Sequence, residues 1–530
     1  MLEGLRGRGQ VDRHPPTTTE RLYFDTFDGR LHRAGLSLEG SVGAGGRPVR
    51  LTLHEAGGPT STAVASGSAE RLFLTDVEPG ALHDRLAGVV DVRALLPQAR
   101  ARIRRTTTSL RNREGKIVVR LAFEEAFVLR RGRDPVVLGT RLAVIPVLGY
   151  GAALARTIGA LESMTGLARP AQTLADEVIE AAGGRPSGVS SKVDVPLRPG
   201  MRADDATLAL CRRLAEVVDM NLPGTLADLD SEFLHDLRVA IRRTRSLLRE
   251  MKGVLAVADR DRSRVDLRWV QEVTGPTRDL DVLLLEWPDL AAHAGAHAAA
   301  DLEPIRAELI TRRDAGFRQM RSRLKGQRFA AVWSAWKRTI DRNSQTEDDR
   351  QRANGPLAVE RLAGRRVGAV YRDMVHEGRQ IDDSTPAEVL HDLRKRGKEL
   401  RYLLELFGPL WPADAVKPML SIMKGLQDTL GRFQDNQIQA TFLRSVGLDL
   451  AGETGGPDAL LALGLVIQEL ARDQRVARQT FAERFAVFAA ADTEKLVRAT
   501  FGVDDRPGAG GAKPALPAAA PKASKSGRKR

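Results

Sequence analysis

His235-Asp236-Leu237-Arg238-Val239-Ala240-Ile241-Arg242-Arg243-Thr244-Arg245 returns 156 residues later (391 minus 235) as His391-Asp392-Leu393-Arg394-Lys395-Arg396-Gly397-Lys398-Glu399-Leu400-Arg401. At about 100° per residue, His235, Arg238, Arg242, Arg245 and Arg249 share an arc of about 80° on one helix. Leu234, Leu237, Ile241 and Leu248 lie directly beside that arc and form the packed face. The second copy places His391, Arg394, Lys398 and Arg401 in the same way, and its stripe stops at Glu405. The same offset carries Gln271 onto Gln427, Gly275 onto Gly431 and Asp279 onto Asp435. Matches held at one offset mean a duplicated helical unit. They predict two similar helical bundles related by a pseudo-twofold axis.

A solvated charge face normally lies opposite the core and mixes signs. This stripe borders the core and carries one sign. Over fourteen residues it runs about 21 Å at 1.5 Å per residue, a shape suited to an extended anion. Arginine serves that role well, because its planar fork gives phosphate two parallel hydrogen bonds and stays charged. The competing reading is that these arginines pair with carboxylates of neighbouring helices. A lone histidine at the edge of an apolar face is usually a structural hydrogen-bonding group. His235 and His391 recur in register with the arginines, which puts them on the same surface. Neither has metal-ligand spacing around it or a nucleophile to serve. Asp279, Asp281 and Asp435 are read as supporting carboxylates that orient the arginines, with metal binding the lesser alternative.

The wider composition agrees. Lys and Arg number 82 against 68 Asp and Glu, a net charge of +14 that calls for a polyanionic partner. Aromatic residues are only 5%, too few for base stacking to dominate. Cys211 is the single cysteine, which excludes a disulfide framework and fits a reducing cytosol. The first eight residues have no apolar signal-peptide core, and no run of about 18 apolar residues suggests a membrane span. Residues 1–182 mix strand and helix patterns. Residues 183–200 have a Gly/Pro/Ser linker composition. Residues 201–503 are helical, in halves 201–340 and 358–503. Residues 504–530 read as a disordered basic tail, with six Lys/Arg and no acid from Gly511 onward.

The paired His-x-x-Arg-x-x-x-Arg/Lys-x-x-Arg motifs, with Arg278-Asp279-Leu280-Asp281 downstream of the first, resemble the CHAD domain (conserved histidine α-helical domain). The resemblance covers roughly residues 201–487. It implies a mainly α protein built on two four-helix bundles, whose basic central surface binds inorganic polyphosphate. The residues it assigns to the polymer are the nine stripe positions, His235 through Arg249 and His391 through Arg401, with association to polyphosphate granules as a corollary.

Tyr23-Phe24-Asp25-Thr26 and Arg33-Ala34-Gly35-Leu36 are similar to segments of the CYTH (triphosphate tunnel) domain, which often precedes CHAD. A smaller α+β, partial β-barrel domain is therefore expected at the N-terminus. The family's opening Glu-x-Glu-x-Lys is absent, Arg120 stands where an acid is usual, and Ala143-Val144-Ile145-Pro146 carries no glutamates. Without converging carboxylates a divalent cation has no oxygen cage. The expectation is a degenerate domain with neither metal, cofactor nor catalysis. Glu124 and Glu125 are read as strand-end residues. Two alternatives stand beside polyphosphate binding: CYTH-type triphosphatase or cyclase activity, and DNA or RNA association through residues 507–530 by counterion release.

Overall fold

The computed structural model describes residues 10–42, 49–55, 60–164, 166–295, 298–345, 349–382, 384–453 and 455–502. The basic tail lies outside these residues. Among them no helix is long and apolar enough to cross a membrane.

The N-terminal domain runs β1 (Gln10–Arg13), β2 (Thr17–Asp25), α1 (Arg30–Arg33), β3 (Leu36–Val42), β4 (Val49–Glu55), β5 (Ser61–Ala65), α2 (Ala81–Val90), β6 (Leu96–Arg111), β7 (Ile117–Arg130), β8 (Arg133–Val137), β9 (Arg141–Pro146), α3 (Gly151–Glu162) and α4 (Leu174–Ala181). All strand pairs are antiparallel, in the order β5-β4-β3-β2-β6-β7-β8, with β1 added to β6 and β9 to β7. Among the described residues β5 and β8 do not pair, so the expected partial barrel is an open sheet. Strand alternation explains its two cores. Leu22 and Phe24 of β2 face α2, while Tyr23 between them faces Val178 and Ile179 of α4.

The helical region contains α5 (Ala203–Ala227), α6 (Ser231–Glu250), α7 (Val257–Ala292), α8 (Glu303–Lys325), α9 (Gln327–Gln345), α10 (Val359–Gly378), α11 (Ala387–Phe407), α12 (Ala413–Asp449), α13 (Gly456–Phe488) and α14 (Ala491–Phe501). Adding 156 to the first residues of α5, α6 and α7 (203, 231 and 257) gives the first residues of α10, α11 and α12 (359, 387 and 413). The offset read from one motif thus governs the first three helices of each repeat. The fourth helix of each expected bundle is broken, at the extended backbone of Gly326 between α8 and α9, and at Ala489 and Ala490 between α13 and α14. Each repeat therefore has five helices. The repeats also share one core: Leu237, Ile241 and Leu248 of α6 belong to the same buried cluster as Leu393, Leu400 and Leu404 of α11.

Two contacts fix the pseudo-twofold axis. Ala203 N–H donates to Leu357 O at 2.8 Å, and Val359 N–H donates to Met201 O at 2.8 Å. Arg243 Nη2 meets Glu405 Oε2 at 2.5 Å, and Arg249 Nη2 meets Glu399 Oε1 at 2.7 Å. In each case the second bond is the first with the repeats exchanged. Such reciprocal pairing is the mark of an isologous, twofold contact. It places the antiparallel crossing of α6 and α11 at Ser246 and Tyr402.

The segment read as a linker is anchored. Gly29 (φ +69°) and Gly188 (φ +70°) pack backbone against backbone, and a Cβ on Gly29 would sit 2.3 Å from Ser187 O. Only glycine adopts that conformation without strain and leaves that space. Arg213 donates to the carbonyls of Ser190 and Lys192 at 2.5 and 3.1 Å, and Leu197 is buried in the helical core.

Candidate anion-binding cleft

Helix α6 starts at Asp230, whose carboxylate accepts the backbone N–H of Glu232 and Phe233 at 2.9 and 3.2 Å. This is an N-cap. The apolar face of α6 goes to the shared core, which leaves the arginine stripe half-buried along its edge. Where α6, α7 and α11 meet, a cleft of about 660 Å³ opens. Helix α6 contributes Arg242, Arg245 and Arg249, α7 contributes Arg260, Arg264 and Arg268, and α11 contributes Lys395 and Lys398. The carboxylates in its wall are Asp261 and Glu399.

Several of these cations form no direct ion pair, although Asp435, Glu272 and Asp279 act on Lys398, Arg245 and Arg242 from a distance. Arg242, Arg245 and Lys398 make no hydrogen bond or ion pair with any described residue, and Arg242 Nε is buried without an acceptor. Buried polar groups normally find partners, so these are free to take one. Electrostatics report the crowding. Burial, then Arg394, Arg242 and Arg401, push Lys398 down to about 8. Burial, then Arg268, Arg249 and Arg264, lower Arg245. Burial and the neighbouring Glu250 raise Glu399 to about 7, against the pull of Arg249.

The other stripe residues have different work. Arg238 Nη1 donates to Gln271 O at 2.8 Å and Thr274 Oγ1 at 2.9 Å, and Gln271 Nε2 returns a bond to Arg238 O at 2.8 Å. Its guanidinium lies over Gly275, where a Cβ would stand 3.5 Å from Nη1. Burial pushes it down to about 10. Arg394 lies over Gly431 in the same way and bonds Asp435 Oδ1 at 2.9 Å. Each repeated glycine thus lies under a guanidinium, at a distance where a Cβ would make ordinary contact. Arg238 and Arg394 are struts between helices that flank the cleft. Arg401 is held by Glu405 on its own helix at 2.6 Å.

Asp435 forms an ion pair with Arg394. Asp279 feels Arg238 and Arg242, but burial outweighs them and its carboxyl is raised. Asp281 serves elsewhere. Its carboxylate pairs with Arg313 of α8 at 2.8 Å, and Arg313 also holds Asp228. His391 lies by Lys395 and Arg394 and is lowered by burial and by those cations. His235 lies where α6 also borders the N-terminal domain. It lines a second cavity of about 540 Å³ between the two domains, with Asp28, Arg93 and Asp236. Sequence reasoning missed Arg260, Arg264 and Arg268, although their i, i+4, i+8 spacing is legible.

The second cavity marks how the N-terminal domain grips α6. Arg93 is 2% exposed and bonds Asp230 Oδ1 at 3.2 Å and Asp236 Oδ2 at 2.7 Å. Its guanidinium stacks 5.2 Å from the Phe233 ring, and Phe27 packs on the same ring at 4.6 Å. In the sheet, Glu124 sits in mid-strand, not at a strand end. It pairs with Arg21 at 3.1 Å and with Arg105, while Glu125 meets Arg104 at 3.4 Å. Cys211 is fully buried and its thiol is pushed up to about 12, so it stays an inert core residue.

Residues 209–444 match the model of the CHAD domain family. The chain is 23% identical over 488 residues to the uncharacterized protein Rv2226 of Mycobacterium tuberculosis strain H37Rv, across 88% of this chain and 89% of that one. The uncharacterized protein MT2285 of strain CDC 1551 matches to the same extent. An alignment of 488 residues is longer than the helical region, so these relatives extend into the N-terminal domain. Among solved structures, the chain is similar to the CHAD domain from the plant Ricinus communis, with 19% identity, 56% of this chain, 96% of that chain and a TM-score of 0.45. It is also similar to PptA from Streptomyces chartreusis, with 16% identity, 54% of this chain, 99% of that chain and a TM-score of 0.41.

Proposed function

Because the helical region carries a CHAD domain, we propose that this protein binds inorganic polyphosphate in the cleft between α6, α7 and α11. The observation that carries this reading is the set of cations without a direct ion pair, Arg242, Arg245 and Lys398, gathered from both repeats at one place. A linear phosphate chain answers the cleft in charge. Duplex DNA, stiff over about 50 nm, cannot follow a groove between helices. The resemblance to CHAD supports polyphosphate as the anion, and the grouping of these cations supports the cleft as its seat.

The test is titration with long-chain polyphosphate at about 0.15 M salt, where charges more than about 8 Å apart in solvent are screened. Tighter binding of polyphosphate than of charge-matched duplex DNA is expected, and equal affinities would remove the specificity. The reading extends to association with polyphosphate granules, tested by co-sedimentation. The tail supports a separate, generic nucleic-acid contact. Deleting residues 507–530 should abolish DNA binding and leave polyphosphate binding intact.

The N-terminal domain we read as a CYTH relative, on the segments around Tyr23 and Gly35. Glu39 and Glu124 favour a non-catalytic one, since both carboxylates are engaged by Arg21. Phosphate release from tripolyphosphate with Mg or Mn, lost on Glu124→Gln, would overturn that.

A further inference from the structure

Helices α6 and α7 form a hairpin. Arg245 and Arg249 on one arm face Arg260, Arg264 and Arg268 on the other, close enough that Arg268 and Arg264 depress the Arg245 guanidinium. From Arg260 to Arg268 the second file spans about 12 Å at 1.5 Å per residue. Together they wall a groove that leads from the pseudo-twofold axis toward the hairpin turn. Among the described residues the second repeat lacks the matching arginine file. The positions matching Arg260, Arg264 and Arg268 are Val416, Leu420 and Lys424. Val416 is buried and Leu420 packs on the core. The position matching Arg249 is Glu405, whose carboxylate holds Arg243 and Arg401.

We infer that the polyanion follows a single path, from Arg242 and Lys398 at the axis outward between α6 and α7 past Arg264 and Arg268, with no mirror path in the second repeat. This rests on the polyphosphate reading and deepens it. A symmetric fold then carries an asymmetric track: one polymer segment occupies the cleft, and it leaves by one side. Arg264 is 43% exposed and Arg268 69%, and each meets a carboxylate only on its own helix surface, Asp261 at 3.7 Å and Glu272 at 2.9 Å. A phosphate chain in the groove can displace these weak, solvent-screened pairs.

The experiment compares equivalent positions in the full chain, with long-chain polyphosphate as the probe. Arg268→Ala and Lys424→Ala are measured singly, and Arg264→Ala with Arg268→Ala together. The double variant should weaken binding about tenfold and flatten the log-affinity against log-salt slope by about 1.4, two contacts at about 0.7 each. Arg264→Lys with Arg268→Lys should keep the slope. Lys424→Ala should change affinity less than twofold. Equal losses from Arg268→Ala and Lys424→Ala, or an unchanged double variant, overturn the single path while the polyphosphate reading stands. Failure of the unsubstituted chain to bind at all overturns that reading, and the path with it.

Discussion

Helices α6 and α11 open on the same four residues, His-Asp-Leu-Arg, and then diverge in what those residues meet. In α6, Asp236 is 19% exposed and clasped by Arg93 of the N-terminal domain, while in α11 Asp392 is 70% exposed and meets only Lys395. Toward their C-terminal ends α6 carries Arg243 and Arg249 where α11 carries Glu399 and Glu405, and the two arginines pair with the two glutamates across the axis. The repeats have therefore split a common design. One became cationic, docked to a second domain and lined by a further arginine file. The other supplies the counter-charges that hold the pair together, and lends Lys398 to the cleft. Duplication preserved the packing positions, because they make one core. It left the charged positions free to specialise.

Four outcomes sharpen or break that contrast. The largest effect is expected at the domain contact. Arg93→Ala leaves Asp230 and Asp236 without their buried cation and should lower stability by about 3 kcal/mol, read by thermal or denaturant unfolding. If Arg93→Ala unfolds no more easily than the parent, the docking of α6 is not what distinguishes the repeats.

Next comes the axis. Arg242→Glu with Lys398→Glu should reduce polyphosphate affinity at least about a hundredfold, roughly 2.7 kcal/mol, with the helical circular dichroism unchanged. A smaller loss than that from Arg238→Ala with Arg394→Ala would mean the struts bind the anion instead of positioning the helices.

The pH profile follows. Lys398 titrates near 8 and Glu399 near 7 in the free protein. A bound polyanion favours the protonated form of both, so binding takes up protons. Affinity is therefore greatest below about pH 7, falls as Glu399 ionises, and falls again as Lys398 loses its charge. A drop of about tenfold between pH 6 and pH 9 is expected. Lys398→Arg should remove the upper limb, and a flat parent profile would contradict the crowding of the cleft.

The smallest effect belongs to the motif copy without a partner domain. Asp392→Ala should change stability by less than about 0.5 kcal/mol, whereas Asp236→Ala should cost clearly more in the same measurement.

Much of this molecule could be read before folding. The offset of 156 predicted a repeat from one motif, and the starts of α5, α6 and α7 carry onto those of α10, α11 and α12 by it. The period of Leu234, Leu237, Ile241 and Leu248 located the core face. The mismatches have physical causes. The fourth helix breaks at Gly326 and at Ala489-Ala490, where the backbone leaves the helical region although composition alone lets the helix continue. The linker composition of residues 183–200 says the chain is conformationally permissive, and two back-to-back glycines use that freedom for tight docking. Asp281 pairs with Arg313 of another helix, a partner the spacing along one chain does not reveal. Glu124 lies in mid-strand because β7 runs on to Arg130. His235 borders the N-terminal domain, which the helical pattern alone does not place.

Sequence alone determined the duplication, the helical period and the single-sign stripe, because each is a property of spacing along one chain and survives any arrangement in space. Tertiary structure decided which cations are free. Whether an arginine is a strut, an ion-pair partner or a ligand depends on what stands within about 4 Å of its guanidinium, and those neighbours are a bundle or a domain away in the sequence. Arg238 and Arg242 sit one helical turn apart with the same side chain. Folding places the first against Gln271 and Gly275, and leaves the second facing an open cleft.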